Sequence, residues 1–176
     1  TVTGAFDTAA VGTGKTVTLS YALTGAAAGN YLAPVNVTTT AAILAKEITV
    51  TVTAGQTKVY GEADPAFAYT LSETVAVTGA LARANGATVG AYAYELGTLS
   101  AGSNYTLTLH TTDSFAITAK QLTVTGTTAA DKTYDGTTAA AVTLGTVAGI
   151  VGTDVVTVTV TGAFDTAAVG TGKTVT

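Results

Sequence analysis

The chain of 176 residues has no cysteine, methionine or tryptophan, a single histidine and few charges. Each absence excludes something. Without cysteine there is neither a disulfide framework nor a thiolate metal site. His110 has no second histidine or cysteine to share a transition metal with, so no such site is expected. Charged residues make up 10% of the chain, against about a quarter in an average soluble domain. The net charge of −4 argues against nucleic acid, whose phosphates call for clustered lysine and arginine. No apolar run approaches the ~20 residues of a membrane helix, so membrane insertion is not expected. Nothing resembles a start residue, a signal peptide or a tag. What remains is rich in alanine, valine and above all threonine, and β-branched residues favour strands.

The organising feature is a stretch that occurs twice. Residues 1–18 read TVTGAFDTAAVGTGKTVT, and residues 159–176 repeat them letter for letter. Phe6 recurs as Phe164, an offset of 158 residues (164 − 6). Identity over this length means recent duplication, and the 176 residues read as a window on a tandem array. A fainter repeat lies inside it. Ile43 to Thr51 is echoed by Ile117 to Thr125, Asn30-Tyr31 by Asn104-Tyr105, Lys58 by Lys132 and Tyr60 by Tyr134, all at an offset of 74 (117 − 43). Two related domains therefore alternate. Residues 1–46 are the C-terminal part of the longer one, 47–120 a whole shorter one, and 121–176 the N-terminal part of the next longer one.

Strands are expected throughout. Apolar residues alternate with threonine in 48–53, 105–110 and 156–161, and Val17, Leu19, Tyr21 and Leu23 share one face. Such alternation means one buried and one wet face. Glycine punctuates the runs at Gly12-Thr13-Gly14, Gly25 to Gly29, Gly61, Gly86, Gly145 and Gly162, where turns are expected. Short strands and frequent turns point to small β-sandwiches. The junctions Ala45-Lys46-Glu47 and Ala119-Lys120-Gln121 contain neither glycine nor proline. Strand should run almost directly into strand there, giving a semi-rigid, elongated rod.

The run Lys132-Thr133-Tyr134-Asp135-Gly136-Thr137-Thr138 resembles the signature of the YDG domain. Thr57-Lys58-Val59-Tyr60-Gly61-Glu62-Ala63-Asp64-Pro65, followed by Gly97-Thr98-Leu99-Ser100 and Asn104-Tyr105, is similar to the MBG family, a mostly bacterial Ig-like module. The resemblance implies tandem Ig-like β-sandwich domains of the kind found in giant bacterial surface adhesins and haemagglutinin-like exoproteins. It implies an extracellular stalk and brings no catalytic residues.

The motif residues have a structural reading of their own. Asp135-Gly136 is a turn pair. Tyr60 and Tyr134 should cover one end of the core with their hydroxyls on backbone carbonyls, and Tyr31 and Tyr105 the other end. Among the largest apolar pieces these four tyrosines join Phe67, Phe115 and Phe164. Lys58 and Lys132 are candidates for a self-made crosslink to asparagine or aspartate. The simpler expectation is that their stems pack over a tyrosine while the amines reach water.

Chemistry is otherwise thin. Gly12-Thr13-Gly14-Lys15-Thr16 suggests a phosphate loop, but Ala9 stands where glycine is needed and Thr16 continues as a strand rather than a helix. A hairpin turn is expected instead. His110 falls on the face of its strand opposite Tyr105, Leu107 and Leu109, towards solvent, with no partner for catalysis. The acidic residues are scattered, so no calcium site is expected. The nearest approach to one is at Glu62 and Asp64 or at Asp131 and Asp135. Asn36-Val37-Thr38 and Asn104-Tyr105-Thr106 fit the glycosylation pattern.

The expectation is an all-β, non-enzymatic stalk or fibre segment of a large bacterial surface or secreted protein, without a cofactor. Its partners are adjacent repeats of its own chain or neighbouring copies. The alternative is a self-assembling filament subunit, in which residues 1–46 of one chain complete the open sheet of 121–176 in the next.

Overall fold

The structure, a computed structural model, describes residues 2–176. It is all-β, with one turn of 3-10 helix at Ala28–Asn30 among the described residues. In chain order the strands are β1 (Val2–Phe6), β2 (Gly12–Tyr21), β3 (Val37–Ile43), β4 (Lys46–Val52), β5 (Thr57–Val59) and β6 (Tyr69–Leu71). They continue with β7 (Ala82–Arg83), β8 (Gly90–Tyr92), β9 (Tyr94–Glu95), β10 (Tyr105–His110), β11 (Phe115–Thr118) and β12 (Thr123–Thr125). The last are β13 (Thr128–Ala129), β14 (Ala139–Ala140), β15 (Val142–Thr143), β16 (Thr146–Ala148) and β17 (Gly162–Ala163). Two compact units form. One comprises Thr1–Gln56, Pro65–Gly86 and Ala91–Ala116, the other Thr57–Asp64, Ala87–Gly90 and Ile117–Thr176.

The first unit opens with an antiparallel sheet of order β1-β2-β3. Phe6 faces Val17 and Leu19 faces Val37 across it. The register between β2 and β3 shifts between Gly12 and Lys15. The Gly12-Thr13-Gly14 run therefore lies inside β2 as an irregularity, and the turn expected there falls earlier, between Phe6 and Gly12. Because Val17 to Leu19 have partners on both sides, the strand persists past the glycines, which absorb the extra length as a bulge.

The core of this unit is centred on β4. Ile48 and Val50 have no exposed surface and Val52 only 5%, while threonines 49, 51 and 53 alternate with them. The period of two selects this face because β4 is paired on both edges. Its neighbours are β10, parallel, and β6, antiparallel. Leu81, Tyr94, Leu99 and Phe115 are buried with it. Phe67 meets Tyr94 and Phe115 edge-on, at centroid distances of 5.5 and 5.1 Å, a favoured aromatic arrangement. His110 ends β10 exposed, as its alternation requires. Between β3 and β4 only Leu44 and Ala45 intervene.

The second unit is built of small ladders: β12 with β16, β13 with β15 and β14 with β17, all antiparallel. Within it Thr118 accepts the Tyr60 N–H at 2.8 Å and its hydroxyl donates to the Lys58 carbonyl. The strand expected at 156–161 does not form; Val156 is half exposed and pairing begins only at Gly162. In β1 the residues equivalent to Val160 and Thr161, Val2 and Thr3, are held by Tyr21 and Ser20, whereas residues 156–161 lie in none of the ladders among the described residues. Alternation alone does not make a strand without a ladder partner.

Candidate functional site: lysine-clamped turns

Four of the six lysines do the same thing. Lys58 Nζ lies 2.6 Å from Asp64 Oδ1, and Lys132 Nζ 2.8 Å from Asp135 Oδ1. Lys15 pairs with Asp7 at 3.3 Å and Lys173 with Asp165 at 2.9 Å. The side chains of Lys15, Lys58 and Lys173 are 11, 11 and 18% exposed. The amines are thus folded onto turns rather than released to water, which corrects the expectation for Lys58 and Lys132. Lys132 is the fullest case. Its amine also donates to the Thr137 carbonyl and hydroxyl and to the Ala139 carbonyl, at 2.8 to 3.0 Å, and lies 5.8 Å from the centre of the Phe164 ring. Asp135 Oδ1 accepts from both the N–H and the hydroxyl of Thr137 at 2.9 Å. This is the side-chain turn that the Asp-Gly pair announces, and Gly136 supplies its φ of +78°.

The duplicated stretch builds its clamp twice with one geometry. Asp7 N–H donates to the Thr16 carbonyl and Asp165 N–H to the Thr174 carbonyl, both at 3.0 Å. Thr8 N–H and Thr166 N–H donate to the preceding aspartate at 2.8 Å. The lysine amine reaches the threonine hydroxyl in each, Lys15 to Thr8 and Lys173 to Thr166. Phe6 faces Val17 and Phe164 faces Val175.

The remaining motif residues divide. Gly61 has a φ of +87°, and a Cβ there would lie 2.5 Å from Val151, so Tyr-Gly is required on two grounds. The half-buried Tyr60 sends its hydroxyl to Asp154 Oδ2 at 2.8 Å, a carboxylate and not the expected carbonyl. Asn104 is a staple: its side-chain oxygen accepts the Val11 N–H and its carbonyl accepts the Lys46 N–H, each at 3.0 Å. Asn30-Tyr31 and Asn104-Tyr105 share a local turn, with Tyr31 N–H on Ala28 and Tyr105 N–H on Gly102. Tyr105 is half buried, but Tyr31 is 71% and Tyr134 64% exposed. Neither covers a core, because too little apolar surface surrounds them; Leu32 and Val35 beside Tyr31 are 97 and 86% exposed as well. Pro65 is exposed beside Asp64.

Sequence reasoning missed Arg83 and Asp154. Arg83, the chain's only arginine, stacks over Tyr92 at 4.7 Å and Phe115 at 5.3 Å and donates to the carbonyls of Ala84 and Gly86. A lone arginine close to an alternating Tyr92 and Tyr94 was the available signal. Asp154 gave none, since its partner is 94 residues away.

The charges follow the clamps. Hydrogen bonding from Lys132, then from Thr137, lowers the Asp135 carboxyl to about 2. Asp165 is lowered by Lys173 first and the Thr166 N–H second. At Asp7 burial raises the carboxyl, but the Thr8 N–H and Lys15 outweigh it and the net shift is downward. The Tyr60 phenol is raised by its bond to Asp154. With lysine amines on Asp64 and Asp135, the two places nearest to a calcium site already hold a cation. Among the described residues no group of three or more histidine, aspartate or glutamate side chains could hold a metal ion.

Small sheets, turns locked by lysine and one element built twice define a class: an all-β repeat module. Within that class the chain belongs to the YDG domain family, whose family model matches residues 1–41 and 118–176, more than half of the chain. Residues 48–116 match the MBG domain (YGX type). Neither a curated protein nor a solved structure matches the chain. MBG and YDG domains are typical of repetitive surface proteins.

Proposed function

We propose that this chain is a segment of an extracellular, non-enzymatic stalk at a bacterial surface, built of alternating YDG and MBG domains with Ig-like sandwich architecture. Its work is reach and mechanical continuity. The observation that carries this is the six-residue parallel ladder between β4 and β10, from Lys46 opposite Tyr105 to Thr51 opposite His110. The chain enters this region at the N-terminal end of β4 and leaves it beyond the C-terminal end of β10. Tension on the two ends pulls parallel strands in opposite directions along their length. All the hydrogen bonds of the ladder are then sheared together instead of opening one at a time.

The Lys46 N–H binds the Asn104 carbonyl, so the spacing of a parallel ladder turns the Thr106 and Thr108 peptides towards β4. Proline at 108 deletes a central bond. Stretching single molecules between the two ends tests the reading. One distinct rupture peak is expected, at a force lowered by Thr108→Pro. Extension without a peak in the unaltered chain contradicts a tensile role.

The alternative, a separate subunit joining by strand exchange, is disfavoured by one contact. Phe164 N–H already donates to the Thr138 carbonyl at 2.7 Å, so the second hairpin fills its own slot. The identical hairpin 1–18 of another chain would have to displace it.

A further inference from the structure

Arg83 is a latch on an exposed loop. It ends β7, faces Tyr94 of β9 and lies inside the MBG match of residues 48–116. Its Nη1 donates to the carbonyls of Ala84 and Gly86, both at 2.9 Å, and so straddles Asn85-Gly86. The guanidinium lies over the Tyr92 and Phe115 rings, which ties the loop to the core. Asn85 and Gly86 are exposed, and among the described residues none hydrogen-bonds the Asn85 carboxamide.

Glycine at 86 is imposed by the fold. A Cβ there would fall onto the Tyr92 ring, and that ring cannot yield without leaving the guanidinium above it. The same missing side chain leaves the Gly86 nitrogen open to the carboxamide that precedes it. The other three asparagines stand before tyrosine or valine, at Asn30-Tyr31, Asn36-Val37 and Asn104-Tyr105, whose side chains crowd that nitrogen. Asp135-Gly136 has the glycine but not the electrophile, since Lys132 and Thr137 hold its carboxylate ionised.

We infer that Asn85-Gly86 is a self-modifying site, where the chain deamidates with water as its co-reactant and thereby loosens the Arg83 latch. The Gly86 nitrogen gives up its proton to water and attacks Asn85 Cγ. A C–N bond forms, the Cγ–Nδ2 bond breaks, and ammonia leaves carrying a proton in exchange. The Arg83 cation beside the loop favours the anion that forms as the Gly86 N–H ionises. Water then opens the cyclic imide at either of its carbonyls. Opening at Cγ leaves aspartate. Opening at the main-chain carbonyl leaves isoaspartate, with the backbone running through Cβ and Cγ and one atom longer. In either product the new carboxylate competes with the Ala84 and Gly86 carbonyls for the guanidinium. In isoaspartate the extra atom also changes the spacing of those carbonyls, so that one Nη1 no longer holds both. The chemistry does not depend on a stalk role.

The test is the purified full chain, stored at mildly alkaline pH and sampled over time by peptide mass and by enzymatic methylation of isoaspartate. The peptide carrying Asn85 is expected to lose its amide to two acid products, one of them a methyl acceptor, while those carrying Asn30, Asn36 and Asn104 keep theirs. An Asn85 amide that survives as long as that of Asn36 overturns the site. Amide hydrogen exchange reads the latch. The Ala84 N–H, bonded to the Ala93 carbonyl at 2.8 Å, is expected to lose protection in the stored chain as local opening becomes easier. It should keep its protection in Asn85→Gln stored in the same way, because the longer side chain would have to close a larger ring. Equal Ala84 protection in fresh and converted chains overturns the loosening of the latch.

Discussion

Phe115 has no exposed surface and lies edge-on to Phe67 and beneath the Arg83 guanidinium. Cutting it to alanine should cost about 3–5 kcal/mol in chemical unfolding, the usual range for a buried phenylalanine. Tyr134, mostly exposed, should change stability by no more than about 0.5 kcal/mol when cut in the same way. Equal losses for the two variants would contradict the core described here. At the same scale Asp135 makes the fold sensitive to acid. Its carboxyl is held near 2 against an ordinary 3.8, so in that window the unfolded chain binds more protons than the folded one. The contribution is complete above about pH 4 and lost as pH falls towards about 2. Asp7 and Asp165, also lowered, act in the same direction. Melting temperature should fall across this window, and Asp135→Asn should flatten the slope. A slope that Asp135→Asn leaves unchanged would mean the Lys132 clamp has no part in it.

Among elements, the hairpin of the duplicated stretch is the most self-sufficient. Its aspartate, threonine and lysine make the same contacts in both copies although the strands beside them differ. The Asn104 staple is the opposite case, binding a loop 93 residues away. Asn104→Ala should speed amide exchange at Val11 and leave Asp7, bonded to Thr16, at its former rate. No change at Val11 would mean the staple does not hold that loop. The same contrast decides what could be read from the sequence. β4 and β10 were legible because alternation is the imprint of a strand with one buried face, and β4 has ladder partners on both edges. Residues 156–161 carry an equally good pattern and form no strand, since the pattern records a face and not a partner. The lysine and aspartate of each motif were legible as residues. Their closing of a turn was not, because spacing alone does not separate an amine folded inwards from one in water. Tyr60 on Asp154 lay beyond reach, as nothing local links them. Tyr31 and Tyr134 were assigned to a core that their surroundings do not supply.

For the whole molecule, the exposed Tyr134 lies in the part of the YDG match that runs from 118 to 176. A cavity of about 530 Å³ lined by Lys132, Tyr134, Phe164 and Val175 opens beside it. The most direct measurement of the central claim is the denatured mass of the native polypeptide taken from its source. A covalent stalk predicts a species many times the 17.2 kDa of these 176 residues, with the 158-residue period recurring along it. A native polypeptide of 17.2 kDa would contradict the stalk and leave a separate subunit in its place.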